Sequence, residues 1–321
     1  MPSLSRIQPA SLANSGSELS FRNKIINGGF DVWQRATTFT DWASFAYLVD
    51  RLRIGYDGSP ASGRTLSQQT FALGQTSVPE GDPKFFMQYV FPNCGTPNNY
   101  IRWDLEGVRT LAGKQATFSF WARVPSGTML IGCAIAQEFG SGGSPSAGVY
   151  PAQTNFTVTT TWQKFVYTTT MASIAGKTVG TNNDDRIWPA VYMPPNAAGT
   201  IQFANFQLEE GSVATPFEKR PYATELALCQ RYLEIDTGAA SCYFWGTPYN
   251  QSQAAYFKVT KRAAPTVTIY GVGGYPNNPG YFDKDGTGNT SATATGFLNQ
   301  FRIYISSGVS GQCAYKAECE L

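Results

Sequence analysis

The sequence predicts an all-β protein: a jelly-roll-like antiparallel β-sandwich, then a short helix near 222–234, then a small C-terminal β domain. Three observations predict it. Between residues 24 and 208, apolar and polar side chains alternate with a period of two in run after run, as expected of strands with one buried face. The runs are rich in aromatic and β-branched residues and are bounded by Gly, Pro and Asn. No helical stretch of ten residues interrupts them, and such a series over ~185 residues points to two packed sheets.

Residues 1–23 carry little periodicity and many serines, and they read as an extended arm, either a frayed terminus or one that orders against a neighbouring subunit. Strand after strand then follows. Phe85, Met87, Tyr89 and Phe91 share a face; so do Phe118, Phe120, Ala122 and Val124, and again Met129, Ile131, Cys133 and Ile135. Phe165 and Tyr167 oppose Trp162, Lys164 and Val166. In IQFANFQL the phase slips, because Ile201 and Phe203 fall opposite Phe206 and Leu208 in strict alternation. One extra residue near Asn205 would bring all four to one side, so a β-bulge is expected there. The small-residue segments GSGGSPSAG (140–148) and GTNNDD (180–185) are expected to be loops at the tips of the sandwich.

The sandwich is placed at 24–220. In PYATELALCQRYLEI, Tyr222, Leu226, Cys229 and Leu233 fall on one helical stripe. Pro221 suits the first turn and Glu225 the positive end of the dipole. Residues 221–235 are therefore read as a linking helix. Residues 236–321 return to alternation at Ala255, Phe257 and Val259, at Val267 and Ile269, and at Phe301, Ile303 and Ile305. A β domain of that size has a marginal core of its own.

Composition excludes several classes of function. Charged residues make up only 14% of the chain, and 24 Lys and Arg against 22 Asp and Glu leave a net charge of +2. No basic cluster of the kind that contacts phosphates is present, so no nucleic-acid partner is expected. No apolar run reaches the ~20 residues of a membrane span. The N-terminus lacks the apolar core of a signal peptide, so synthesis in a cytoplasm is expected. The six cysteines are irregularly spaced, without a CxxC pair, and are read as reduced thiols. Histidine is absent, which removes Ser-His-Asp and Cys-His catalysis and His-ligated zinc. The adjacent acids Asp184-Asp185 and Glu209-Glu210 would point to opposite sides of an extended chain, so neither pair suits glycoside hydrolysis. No enzyme activity is expected.

Three segments carry a resemblance: NKIINGGFDVWQR at 23–35, VDRLRI at 49–54 and EEGSVATPFEKRPYATELALCQRYLE at 209–234. Together they resemble a family of bacteriophage tail and tail-fibre proteins, in which they open and close a sandwich domain. TKRAAPTVTIY (260–270) is similar to the start of the small domain that follows the helix in that family. INGGF and IQFANFQLEEG are also similar to the edges of carbohydrate-binding jelly rolls, which implies Asp31 and Asn205 as ligands of a structural calcium. Asn is a neutral oxygen ligand, weaker than the carboxylates calcium favours.

The resemblance implies a structural virion protein, a homo-oligomer with a trimer favoured, contacting other virion proteins through its arm. As a fibre or receptor-binding component it would contact host-surface glycan. As a collar, adaptor or head-decoration protein its sandwich would be scaffold. A capsule-degrading enzyme is the remote alternative. Aromatic faces can stack on sugar rings, and Trp33, Trp42, Trp103, Trp162, Trp188 and Trp245 are candidates for that role, Trp33, Trp42, Trp188 and Trp245 foremost, each weighed against a place in the core or a subunit interface.

Overall fold

A computed structural model of the chain describes residues 21–56, 62–93, 99–238, 242–244, 252–271, 273–283, 288–304 and 310–321. The chain forms two compact units. The first holds thirteen strands among its described residues: β1 (Thr38–Thr40), β2 (Ala46–Tyr47), β3 (Leu52–Tyr56), β4 (Thr65–Thr70), β5 (Phe85–Phe91), β6 (Asn99–Trp103), β7 (Leu105–Glu106), β8 (Gln115–Arg123), β9 (Met129–Glu138), β10 (Thr154–Val158), β11 (Gln163–Thr170), β12 (Arg186–Tyr192) and β13 (Gly199–Glu210). One sheet has the order β1-β4-β5-β13-β8-β11 and the other β10-β9-β12-β6-β3-β2, with β7 also on β12. Every pairing is antiparallel, giving the jelly-roll sandwich the alternation predicts.

The core is aromatic. Phe206 meets Trp103 at 4.4 Å, Phe120 at 5.0 Å and Phe30 edge-on at 5.8 Å between ring centroids. It can do so because the expected bulge exists. The register of β13 on β8 shifts between Ala204 and Gln207, and Asn205 takes φ 52°. Asn tolerates that left-handed conformation better than most residues. Ile201, Phe203, Phe206 and Leu208 are in consequence all fully buried.

The opening segment docks on this strand. Asn23 donates from Nδ2 to the Phe206 carbonyl at 3.1 Å, while its Oδ1 accepts from the Ile25 and Leu208 amides. Phe206 in turn donates its amide to the Gly28 carbonyl at 2.9 Å. Residues 21–23, read from sequence as the end of the arm, are part of the sandwich. The Glu218 carboxylate accepts the amides of Phe21 and Asn23 at 2.6 and 2.7 Å. Residues 1–20 of the arm lie outside the described residues.

The second unit comprises Val32–Ala36, Val49–Arg51 and Arg220–Leu321. The expected single cut near 220 is therefore incomplete, for two short pieces of the N-terminal half fold with the C-terminal unit. The reason is ionic. Arg35 pairs with Glu318 and Glu320, and Arg51 pairs with Glu320 while its guanidinium lies 3.5 Å above the centroid of the Tyr232 ring. Gln34 donates its amide to Asp50 and its side chain to the Leu233 carbonyl, both at 2.7 Å.

Helix α1 (Tyr222–Gln230) is shorter than the sequence reading, and Pro221 precedes its first turn. Tyr222 is exposed, Glu225 is buried against Arg220, and Leu233 lies beyond the helix in a strand. The expected apolar stripe is thus reduced chiefly to Cys229, because an ion pair occupies the face.

The strands of this unit are β14 (Leu233–Asp236), β15 (Cys242–Phe244), β16 (Ser252–Tyr256), β17 (Thr266–Tyr270), β18 (Tyr281–Asp283), β19 (Asn289–Ser291), β20 (Thr293–Gly296), β21 (Gln300–Tyr304) and β22 (Gly311–Glu318). β22 pairs with β14, β15, β17 and β18, and β16-β21-β20 form a separate three-stranded sheet. Phe257, Ile269, Phe282, Phe301, Ile303 and Tyr315 make the core between them. Within it Glu234 is fully buried and accepts from Lys261 at 2.6 Å, from Tyr315 Oη and from the Lys258 amide.

Two expectations test these constraints. A Cβ on Gly28 would fall 2.0 Å from the Phe206 carbonyl oxygen, which is backbone and cannot swing aside. Gly28→Ala should therefore cost about 3 kcal/mol of stability in urea denaturation. In the second unit, burial pushes the Asp50 carboxyl from 3.8 up to about 6 despite Arg35 and the Gln34 hydrogen bonds. A carboxyl raised on folding favours the folded state below its unfolded pKa, and that contribution is lost as pH rises through the folded value. The melting-temperature difference between Asp50→Asn and the parent should accordingly move in the variant's favour between pH 4 and 6 and level off above.

Candidate functional site

The second sheet turns one face to the core and the other outward. On β9 the inward residues are Met129, Ile131, Cys133 and Ile135, all buried. Alternation then turns Gly132, Ala134, Ala136 and Glu138 outward. On β12 the outward set is Arg186, Trp188, Ala190 and Tyr192; on β6 it is Tyr100 and Arg102; on β3 it is Arg53 and Gly55. The register places Trp188 opposite Ala136, Ala190 opposite Ala134 and Arg102, and Tyr192 opposite Gly132 and Tyr100. Large side chains thus stand beside very small ones, and the surface is concave. A Cβ on Gly55 would fall 2.5 Å from the Tyr100 ring, so glycine there is what lets the ring lie down on the sheet.

The result is a cleft of about 580 Å³, lined by Phe45, Arg53, Tyr100, Arg102, Glu138, Tyr150, Pro151, Gln153, Arg186, Trp188 and Tyr192. Its floor is a layer of rings. Tyr100 and Trp188 stack at 5.9 Å and 11°, Tyr192 lies 5.2 Å from Tyr100, and Arg102 sits 4.7 Å from the Trp188 centroid. At the rim Tyr150 and Phe45 are exposed, 6.1 Å from Trp188 and 6.5 Å from Tyr100 respectively. Trp188 Nε1 has no hydrogen-bond partner.

Beside the rings, on the same face, lies a charge cluster that the register forces. Arg53 and Arg102 are directly opposed across β3 and β6, an arrangement that is repulsive by itself. Asp104 reconciles them. It accepts from Arg53 at 3.0 Å and from Tyr47 Oη at 2.9 Å, and its Oδ1 is 2.9 Å from Arg102 Nε. Asp104 reaches this position in the same outward phase as Tyr100 and Arg102. The ladder of β12 on β6 ends at Ala190 opposite Arg102 and resumes on β7 at Ile187 opposite Leu105. Trp188-Pro189 spans the interruption, where proline's missing N–H goes unneeded. Burial raises the Asp104 carboxyl, but Arg102, Arg186 and Arg53 outweigh it and hold it below the ordinary carboxylate range. Glu138 pairs with Arg186 and receives Tyr150 Oη at 3.4 Å. Burial and Glu138 together push the Tyr150 phenol up.

Of the described residues singled out in the sequence, Trp188 alone lines the cleft. Trp42 is buried in the sandwich against Tyr89, Trp103 is core, and Trp162 is buried against Phe71 and Phe86. Trp33 is half-buried in the second unit, and Trp245 lies outside the described residues. Sequence reasoning missed Tyr100, Tyr150, Tyr192, Phe45 and the three arginines. The signal was available in the outward phase of RIWPAVY and NYIRW, where aromatic and charged residues alternate with the core set.

The residues implied as calcium ligands lie at the bulge and in the opening segment. Asn205 is buried and donates Nδ2 to the Glu80 carbonyl at 2.6 Å. The Glu80 carboxylate is taken by Lys164, at 2.9 and 3.0 Å, and by the Phe217 amide. Asp31 is half-buried beside Gly29. Among the described residues no group of three or more acidic or thiol side chains converges, whereas calcium calls for several carboxylates among six to eight oxygens. The loops 140–148 and 180–185 do meet: Asp184 accepts from the Ser141 amide at 2.7 Å and its hydroxyl at 2.6 Å, and these bonds hold its carboxyl below the usual range against its partial burial. Among the described residues no helix is long and apolar enough to cross a membrane.

No protein-family model and no curated protein matches the chain. Solved structures do. The CBM22-2 xylan-binding domain of Paenibacillus barcinonensis Xyn10C is similar over 51% of this chain and 93% of its own, at 12% identity and TM-score 0.33. The N-terminal cellulose-binding domain of Cellulomonas fimi β-1,4-glucanase C is similar over 42% and 84%, at 13% and 0.31. The enzymatically active domain of bacteriophage CBA120 tailspike protein 4 is similar over 59% of this chain but only 22% of its own, at 11% and 0.37. Similarity at this level does not transfer a ligand, and the functional reading rests on the cleft.

Asp104→Asn should cost about 3 kcal/mol, since it leaves opposed arginines uncompensated in a buried place. A carboxyl lowered on folding contributes stability above its unfolded pKa of 3.8 that is lost as pH falls. The variant should therefore also show a weaker decline in melting temperature below pH 4 than the parent.

Proposed function

We propose that the first unit is a glycan-binding module and that the chain is a non-enzymatic component of a bacteriophage tail or fibre, contacting polysaccharide on the host surface. The carrying observation is the cleft on the outer sheet face: exposed Tyr150 and Phe45 stand over a floor of Tyr100, Trp188 and Tyr192. Its volume lies in the range of small-molecule sites. Flat apolar faces beside fixed polar groups suit pyranose rings, which carry C–H patches on their faces and hydroxyls at their edges. The virion assignment draws its support from the three segments at 23–35, 49–54 and 209–234. The same resemblance supports a homotrimer, attached to other virion proteins through the N-terminal arm.

Hydrolysis is not part of this reading. A glycosidase needs one carboxyl protonated as general acid. Asp104 is held ionised beneath three arginines, and Glu138 is ion-paired with Arg186.

Glycan-array and whole-cell binding by the purified protein test the proposal. Tyr150→Ala, at an exposed position, should leave melting unchanged and weaken glycan binding at least tenfold, about the value of one lost stacking face. Undiminished binding by this variant and by Phe45→Ala would overturn the assignment of the cleft.

A further inference from the structure

Resting on the glycan-binding reading, we infer that the cleft selects an anionic glycan, one whose sugars carry a carboxylate or a phosphate. The argument is the balance of donors and acceptors. A neutral sugar presents hydroxyls, each both donor and acceptor, and a site for it must supply acceptors as well as donors. Here the carboxylates are engaged within the protein. Asp104 is fully buried and already holds Arg53, Arg102 and Tyr47. Glu138 holds Arg186 and takes the Tyr150 hydroxyl. What reaches solvent is cationic: Arg53 and Arg186, each with close to a fifth of its side chain exposed. Gln153 adds a neutral amide at the rim.

Charge points the same way. The charged groups facing one another here are Arg53, Arg102, Arg186, Asp104 and Glu138, three cations against two anions, so the cleft carries one net positive charge. Arg102 and Asp104, both buried, offset each other; the partly exposed cations are Arg53 and Arg186, with Glu138 paired to Arg186. Guanidinium forks match carboxylate and phosphate oxygens in geometry as well as in sign. An acidic sugar would place its anionic group against the solvent-reaching guanidinium groups of Arg53 and Arg186.

The test is an array of acidic bacterial surface polysaccharides, each printed in three forms: native, carboxyl-reduced, and dephosphorylated with hydrofluoric acid. The full-length protein should bind native material and lose at least tenfold when the anionic group is removed, the form that loses binding revealing whether that group is carboxylate or phosphate. Raising NaCl to 0.5 M should weaken binding to the native form. Arg186→Gln and Arg53→Gln, each checked by melting temperature, should bind native and stripped forms alike. If stripped polysaccharides are bound within twofold of native ones, the inference falls and the glycan-binding reading stands. If no form of any polysaccharide is bound, both fall together.

Discussion

The sandwich depends on one extra residue in one strand. β13 lies between β5 and β8 in the middle of its sheet and contributes four large apolar side chains to the core. Without the bulge at Asn205, strict alternation would turn Phe206 and Leu208 to the opposite face from Ile201 and Phe203. The bulge also frees the backbone of Phe206 from the ladder. The opening segment uses those groups: Asn23 and Gly28 take the carbonyl and the amide of Phe206. The first segment of the sandwich and the last strand are thereby joined at one backbone position, and Phe30 is delivered to the ring cluster around Phe206.

Buried charge recurs as a second organising device. In the first unit Asp104 neutralises arginines that the register sets side by side. In the second, Arg35 and Arg51 arrive from early in the chain to meet Glu318 and Glu320 at its end, and Glu234 is enclosed with Lys261 and Tyr315. Breaking such a pair leaves an uncompensated buried charge, so each tends to be kept or lost as a set. The pairs also give a physical reason for the QR and DR pairs within the opening segments, which composition alone would assign to a solvated surface.

Much of the fold was legible beforehand. Period-two alternation named the core faces of β8, β9 and β11, and the phase slip in IQFANFQL named the bulge. These were legible because a strand's burial pattern is a local property of its sequence. The ends of α1, the composition of the second unit and the cleft were not. Each depends on partners far away in the chain: Leu233 joins a strand because β22 pairs with it, and residues 32–36 and 49–51 leave the sandwich because their arginines have counterions at 318–320. Tryptophan as a residue type was a poor guide to the site, because Trp42, Trp103 and Trp162 serve the core.

The sequence by itself determined the class of structure, the inward face of most strands and the bulge, since alternation and turn residues act over a few positions. Only the tertiary structure decided which outward faces lie side by side. Tyr100, Glu138, Tyr150 and Trp188 are scattered over nearly ninety residues, and no local pattern links them. Strand order and register bring β6, β9 and β12 together, and the small residues between them make the surface concave. A binding face on a sheet is a property of register, and register is settled by the pairing of distant strands.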